Sequence, residues 1–392
     1  MAEDVAYKLD GPEGAPPLVL AGSLGTTVGV WDGQVPVLSQ WFRVVRVEHP
    51  GHGGAGVPEG PGTLEGLGER LLGIMDDLGI GAACYAGLSL GGLVGMWLAA
   101  NHPERVSRLA LCFTSARFAG AGSYMERAAQ VRSAGTAQLA PAALGRWFTA
   151  PFLSLHPEVG EGYAATLAGI DAPGYAYCCE ALAGADLTAH LERIKAPTLV
   201  VGGALDPVVP PDLAAMTMKA IPGASLVVLP AGAHLANVER PGPFNDLLLS
   251  HFVGSASERG ERVRREVLGG GHVDRERAAG AGFGAPFQDL LAKWPWGEIW
   301  ARPGLDWATR RLLTIAMLAS LGRTEELEVH LRAALARGEG GEPLGGEPLA
   351  EAPLTEEAVT EVLLQVAVYA GVPAANAAFR VAGRVLGDAP AK

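Results

Sequence analysis

The stretch that most constrains this chain runs from Ala83 to Gly95: Ala-Cys-Tyr-Ala-Gly-Leu-Ser-Leu-Gly-Gly-Leu-Val-Gly. It reads as a short apolar strand, a turn crowded with glycine, and a helix that starts at once. Gly87-Leu88-Ser89-Leu90-Gly91 is a G-x-S-x-G pattern, which carries meaning between a strand and a helix, and both are predicted here. A serine on so sharp a turn sits in strained backbone, and side chains two residues to either side would collide, so glycine takes both places. The hydroxyl then projects beside the first turn of the helix, whose unpaired N–H groups favour a developing negative charge. A glycine-rich turn with an incidental serine is the plain alternative; partners elsewhere in the chain decide.

Other strands are predicted at 17–21, 42–48, 108–113, 197–203 and 224–229, each a short apolar or β-branched run. Leu64, Leu67, Leu71, Met75 and Leu78 recur at helical spacing between the second and third of the chain's strands, and another helix runs from Gly92 to about His102. Such alternation predicts an α/β class with a parallel sheet. From about 119 to 187 the pattern becomes helical pieces broken by Pro141, Pro151, Pro157 and Pro173, which reads as a lid over the strand ends. Strands then resume, and each of the last two ends in a polar turn. The first leads into Ala204-Leu205-Asp206-Pro207, the second into Pro230-Ala231-Gly232-Ala233-His234.

Ser89, Asp206 and His234 thus follow the chain order of the α/β-hydrolase fold, each just past a strand's C-terminal end, where open α/β sheets place their sites. Serine is a poor nucleophile unaided, so His234 takes its proton, while Asp206 fixes the tautomer and stabilises the imidazolium. Taken singly, Asp206 would read as an Asx-turn before Pro207 and His234 as an exposed turn residue. The backbone N–H groups of Leu24 and Leu90 are the expected oxyanion hole. In the cluster His49-Pro50-Gly51-His52-Gly53-Gly54, both histidines read as turn residues. Arg132, Arg146 and Trp147 are the lid candidates for substrate contact.

A chain of 392 residues exceeds one typical core, so two domains are expected. Residues 1–253 form the α/β unit, Gly254 to Gly260 read as a polar linker, and 261–392 form an all-α domain. Helix-like segments run over 261–268, 287–293, 307–321, 325–337, 356–370 and 374–386. Residues 338–353 repeat Gly-Glu-Pro-Leu and read as a mobile surface loop. A net charge of −12 excludes nucleic acid and anionic membrane as expected partners. The four cysteines (Cys84, Cys112, Cys178, Cys179) show no C-x-x-C or metal spacing, so no metal is expected and a reduced, cytoplasmic location is. The acidic start Met1-Ala2-Glu3-Asp4 is not followed by an apolar run, and no secretory leader is expected.

Four segments of the first domain, Gly22-Ser23-Leu24-Gly25-Thr26-Thr27, Trp31-Asp32-Gly33-Gln34, Gly87 to Gly92 and Arg146-Trp147-Phe148-Thr149, resemble 3-oxoadipate enol-lactone hydrolases over about 5–252. Gly22, where that family often has asparagine, and Glu48-His49-Pro50, in place of Asp-x-Arg, are departures outside the triad. In the second domain, 260–269, His272-Val273-Asp274, Trp296 to Leu305 and Tyr369 to Asn376 resemble 4-carboxymuconolactone decarboxylase over about 260–388. That resemblance implies an alkyl hydroperoxidase-like helical fold and a cofactor-free decarboxylation. Redox members of the fold use a C-x-x-C upstream of a histidine; no cysteine follows Cys179, so thiol peroxidase chemistry is excluded. His330 matches the position of that histidine and becomes the expected proton carrier. Arg302, with Arg310 or Arg311, would hold substrate carboxylates and Glu298 would orient one arginine. Together the resemblances imply a bifunctional enzyme acting on small lactone dicarboxylates, and homo-oligomers through the helical domain. A general esterase fused to a non-catalytic helical oligomerisation or binding module is the alternative left open.

Overall fold

The computed structural model describes residues 7–118, 120–302, 304–336 and 353–387; residues 338–352 of the expected loop lie outside them. It divides into two compact units, Met1–Phe252 and Val253–Lys392.

The first unit is built on one seven-stranded sheet: β1 (Tyr7–Asp10), β2 (Pro17–Ala21), β3 (Arg43–Val47), β4 (Ala83–Leu88), β5 (Val106–Cys112), β6 (Thr198–Gly203) and β7 (Ser225–Leu229). Their spatial order is β1-β3-β2-β4-β5-β6-β7. From β3 to β7 every pair is parallel; β1 runs antiparallel to β3, so the sheet is mixed rather than wholly parallel. Sequence patterning misses β1 because it has only four residues, none fully buried, and its pairing is long-range. Arg46 of β3 holds it, reaching Asp10 at 2.8 Å and Asp32 at 2.7 Å. The central strands are buried along their length, as a sheet covered on both faces requires.

Helices α1 (Val35–Leu38), α2 (Leu64–Asp77), α3 (Leu90–Asn101) and α9 (Pro211–Ala220) belong to the sheet's connections, and α10 (Ala236–Glu239) and α11 (Pro241–Val253) follow its last strand. The lid is helical as expected, comprising α4 (Ala121–Ala134), α5 (Ala140–Trp147), α6 (Ala150–Leu155), α7 (Pro157–Ala168) and α8 (Ala172–Gly184), four of them carrying proline in the first turn, where its missing N–H costs nothing. Every residue of α3 from Leu90 to Ala100 is buried, so the helix that follows the serine is locked in the core.

The second unit is all-helical among the described residues: α12 (Ala256–Leu268), α13 (Gly270–Ala279), α14 (Ala285–Leu291), a π-helix (Ala292–Trp300), α15 (Trp307–Ser320), α16 (Thr324–Ala334), α17 (Glu356–Tyr369) and α18 (Val372–Leu386). The stretch read as a linker is mostly helix: Ser255 caps α12, its hydroxyl accepting from Glu258 N–H while Glu258 accepts from Ser255 N–H. That reciprocal cap outweighs the polar, small-residue composition. Gly260 and Gly297 let α12 and the π-helix touch backbone to backbone: a Cβ on either would strike Ala292 O or Ala256 O. Ile315, Leu327, Leu331, Leu363, Ala378 and Val385 form the centre of the remaining core.

Candidate active sites

Ser89 occupies the junction of β4 and α3 with φ 52° and ψ −109°, a conformation that a residue with a side chain seldom adopts. The neighbouring glycines explain how it is tolerated. A Cβ on Gly87 would strike the Gly91 carbonyl, and one on Gly91 would strike Ala21 O in β2. Ser89 N–H donates to Cys112 O at 2.9 Å, and Ser89 O accepts the Thr114 hydroxyl at 2.7 Å, so the elbow is pinned to the end of β5. Leu90 is the first residue of α3; its N–H has no intrahelical acceptor. Leu24 lies in the loop after β2, and Trp147 closes over that loop, since a Cβ on Gly25 would sit 3.1 Å from the indole.

Asp206 and His234 meet beyond β6 and β7. His234 Nδ1–H donates to Asp206 Oδ2 at 2.8 Å, with His234 and Asp206 each 3% exposed. Asp206 Oδ1 meanwhile accepts Val208 N–H at 2.8 Å and Val209 N–H at 3.0 Å. The Asx-turn and the partner of the His234 imidazole are therefore the same residue, one oxygen for each contact. With its proton on Nδ1, His234 offers Nε2 as a base.

The loop bearing His234 is held from both sides by a residue that sequence patterning did not single out. Glu239 accepts Ala233 N–H at 2.7 Å through one carboxylate oxygen and Thr149 N–H at 2.6 Å through the other. Leu235 N–H donates to Trp147 O at 2.9 Å, so lid and histidine loop are joined twice. A buried amide network adds Gln34, which donates to Asn237 O at 3.1 Å and Asn245 Oδ1 at 3.0 Å.

The lid arginines separate. Arg132 pairs with Glu180 at 2.7 Å, and Glu180 also accepts Gly62 N–H, which makes this a lid-to-body tie rather than a free cation. Arg146 is half-buried; burial, then the nearby Arg127 guanidinium, lower its pKa. Arg127 lies 5.1 Å over the Tyr124 ring and hydrogen-bonds the Tyr175 hydroxyl. Two like charges held together in this way invite an anion, and Arg127 was not among the expected residues.

In the second unit His330 lies on α16, nearly parallel to two indoles: Trp296 at 6.4 Å and Trp300 at 6.1 Å between centroids. Burial, followed by the proximity of His272 and Arg311, pushes its pKa down to about 4. Arg311 is 1% exposed, whereas Arg310 turns outward and donates to Arg302 O at 2.8 Å. Adjacent residues on a helix point about 100° apart, which divides the expected pair. Glu298 does not orient Arg302, Arg310 or Arg311 among the contacts seen: its partner is Arg259, at 3.5 Å. Arg264, 4% exposed, donates to Gln288 Oε1 at 2.9 Å. His272 carried no role in the sequence, although it lies in one of the segments that resemble the decarboxylase; its effect on the His330 pKa places it near that ring.

Comparison with known proteins shows the same division. The alpha/beta hydrolase fold family matches residues 16–241, more than half of the chain. The chain belongs to the α/β-hydrolase family. It is 38% identical over 246 residues to a 3-oxoadipate enol-lactonase of Acinetobacter baylyi, covering 62% of this chain and 92% of that one. The solved enol-lactonase of Burkholderia xenovorans LB400 is 40% identical, with a TM-score of 0.62 over 63% of this chain and 95% of that one. The carboxymuconolactone decarboxylase family matches 285–345. A 4-carboxymuconolactone decarboxylase of Acinetobacter baylyi is 41% identical over 138 residues, 34% of this chain and 92% of that one. The helical unit therefore belongs to that second family.

Proposed function

We propose that this chain is a bifunctional enzyme catalysing consecutive reactions. The helical unit decarboxylates 4-carboxymuconolactone to the 3-oxoadipate enol-lactone, and the α/β-hydrolase unit opens that lactone to 3-oxoadipate. One observation carries the reading: a single chain covers 92% of a lactonase relative and 92% of a decarboxylase relative, and the product of one reaction is the substrate of the other.

In the first unit, Ser89 Oγ attacks the lactone carbonyl as His234 Nε2 takes its proton. Asp206 holds the imidazolium, and the Leu24 and Leu90 N–H groups receive the tetrahedral oxyanion. Collapse breaks the ring C–O bond; the leaving enol takes the proton from His234 and tautomerises to a ketone. Water then releases the acyl group by the same route. Arg146, with Arg127, is the reading's anchor for the free carboxylate, and Trp147 covers the oxyanion loop.

In the second unit the C–C bond to a carboxylate breaks, CO2 leaves, and the electron pair spreads through the unsaturated lactone to its carbonyl. Arg311 stabilises that charge and His330 delivers a proton to carbon, with the indoles of Trp296 and Trp300 excluding water. A dianionic ligand beside His330 favours its charged form and opposes the effect of burial. Exposed Phe283, Trp294, Val368, Tyr369 and Val372 support self-association of this unit into a homo-oligomer. Four free cysteines suit a reducing, cytoplasmic setting.

The test is to feed 4-carboxymuconolactone to the full chain and follow CO2, enol-lactone and 3-oxoadipate together. Stoichiometric CO2 and 3-oxoadipate, with the lactone passing through a transient maximum, is expected. His330→Ala should stop CO2 release and leave opening of supplied enol-lactone intact. Absence of CO2 from the folded wild type would favour a non-catalytic helical module.

A further inference from the structure

The turn after β3, His49-Pro50-Gly51-His52-Gly53-Gly54, has no part in the lactone-opening steps, and its histidines read as ordinary turn residues in the sequence. The structure buries both rings, His49 6% and His52 0% exposed. Each bonds the loop that presents the Leu24 N–H. Because a carbonyl only accepts, His49 Nε2–H donates to Gly22 O, at 2.8 Å. His52 is the opposite tautomer: its Nδ1–H donates to Pro50 O at 2.8 Å, and its Nε2 accepts Gly25 N–H at 3.1 Å.

These bonds fall on successive peptide planes. The Gly22–Ser23 plane is held through Gly22 O, which accepts from His49 and also from Gly91 N–H at 3.0 Å. The Ser23–Leu24 plane is held through Ser23 O, which accepts Thr26 N–H at 3.1 Å and the Thr26 hydroxyl at 2.8 Å. The Leu24–Gly25 plane is held through Gly25 N–H, and His52 holds that. In a trans peptide the C=O and N–H point opposite ways, so drawing Ser23 O towards Thr26 aims the Leu24 N–H away from it. Gly25, at φ +86°, makes the bend that returns Thr26 N–H to Ser23 O. Tyr175 of the lid stacks on the same imidazole with centroids 6.3 Å apart.

We infer that His52, supported by His49, is a positioning residue for the oxyanion hole: it fixes the Leu24–Gly25 peptide and with it the aim of the Leu24 N–H. The inference rests on reading the first unit as a serine acyl hydrolase. His52 must stay neutral for this, since a protonated Nε2 would meet the Gly25 N–H donor to donor. Burial supplies that condition, pushing His52 down to about 3 and His49 to about 4. An oxyanion donor acts on the transition state and not on bound substrate, so its misplacement lowers kcat and leaves KM alone.

The test uses the full chain with p-nitrophenyl acetate as substrate and a trifluoromethyl ketone, which adds Ser89 Oγ to give a tetrahedral oxyanion. His52→Leu should lower kcat about 10- to 100-fold, hold KM within about twofold and raise the ketone's Ki by the factor lost in kcat. His52→Gln carries an amide oxygen near the place of Nε2 and should restore kcat to within about threefold of the wild type; His52→Asn, too short to reach Gly25, should not. A folded His52→Leu with unchanged kcat and Ki, or a loss confined to KM, overturns the inference. Should His52→Leu not fold, the order of the other two decides, and Asn outperforming Gln overturns it. Ser89→Ala separates the two levels: undiminished ester turnover there sinks the acyl-hydrolase reading itself, whereas a dead Ser89→Ala beside a fully active His52→Leu sinks only the positioning role.

Discussion

Glu48 is a carboxyl at the end of β3 with 7% exposure, and its burial gives the first unit a pH dependence that can be worked out beforehand. Its Oε1 accepts Val28 N–H at 3.0 Å, and its side chain packs against Gly53, where a Cβ would strike the carboxyl. Burial raises its pKa from 4.5 to about 7, opposed by the Val28 bond and by Arg46 and Lys8. The folded state therefore holds this proton more tightly than the unfolded chain does. Stability from this group is fully present below pH 4.5 and is lost as pH rises through 7. At about 1.4 kcal/mol per pH unit, the interval makes ionisation cost the folded unit about 3 kcal/mol. Glu48→Gln keeps an oxygen for Val28 N–H and cannot ionise. Amide hydrogen exchange in β2, β3 and β4 reads the opening of this unit within the full chain. The protection ratio of Glu48→Gln to wild type should rise about 200-fold between pH 4 and pH 8. Any packing cost of the amide is present at both pH values and cancels in that comparison. An equal ratio at the two pH values would refute the reasoning.

Two further outcomes concern the first site. Asp206→Asn should leave substrate binding in place and lower kcat for lactone opening by about four orders of magnitude, because the amide holds His234 in the wrong tautomer; a loss under tenfold would argue against the His234–Asp206 bond as the catalytic one. Arg146→Ala should raise KM for a carboxylate-bearing lactone about 10- to 100-fold and leave a neutral ester unaffected, whereas Arg132→Ala, whose guanidinium is committed to Glu180, should change KM little. The reverse ranking in steady-state kinetics would overturn that assignment.

The sheet was legible because buried parallel strands are written as short apolar runs, from Leu18-Val19-Leu20 to Leu199-Val200-Val201. The positions of Ser89, Asp206 and His234 past the ends of β4, β6 and β7 were legible because each comes directly after such a run, and the structure adds the bond between the last two. What escaped was held by long-range contacts. β1 depends on Arg46, 36 residues away from its partner Asp10. Glu239 accepts from the backbone at 149 and 233, and nothing in its local sequence announces those partners. His49 and His52 sit among proline and glycine, a composition shared with surface turns, yet the turn is folded beneath the lid. In the helical unit Arg310 and Arg311 look equivalent as neighbours; only the packing of α15 makes one buried and the other turned towards Arg302. The pairing of Glu298 with Arg259 likewise stems from the close approach of α12 and the π-helix at Gly260 and Gly297.

The most direct test of two independent sites working in sequence is the fate of 4-carboxymuconolactone on Ser89→Ala. One equivalent of CO2 should appear at the wild-type rate, with the enol-lactone accumulating and 3-oxoadipate formed only at the uncatalysed rate. Continued rapid formation of 3-oxoadipate, or loss of CO2 release in the folded variant, would contradict two independent sites.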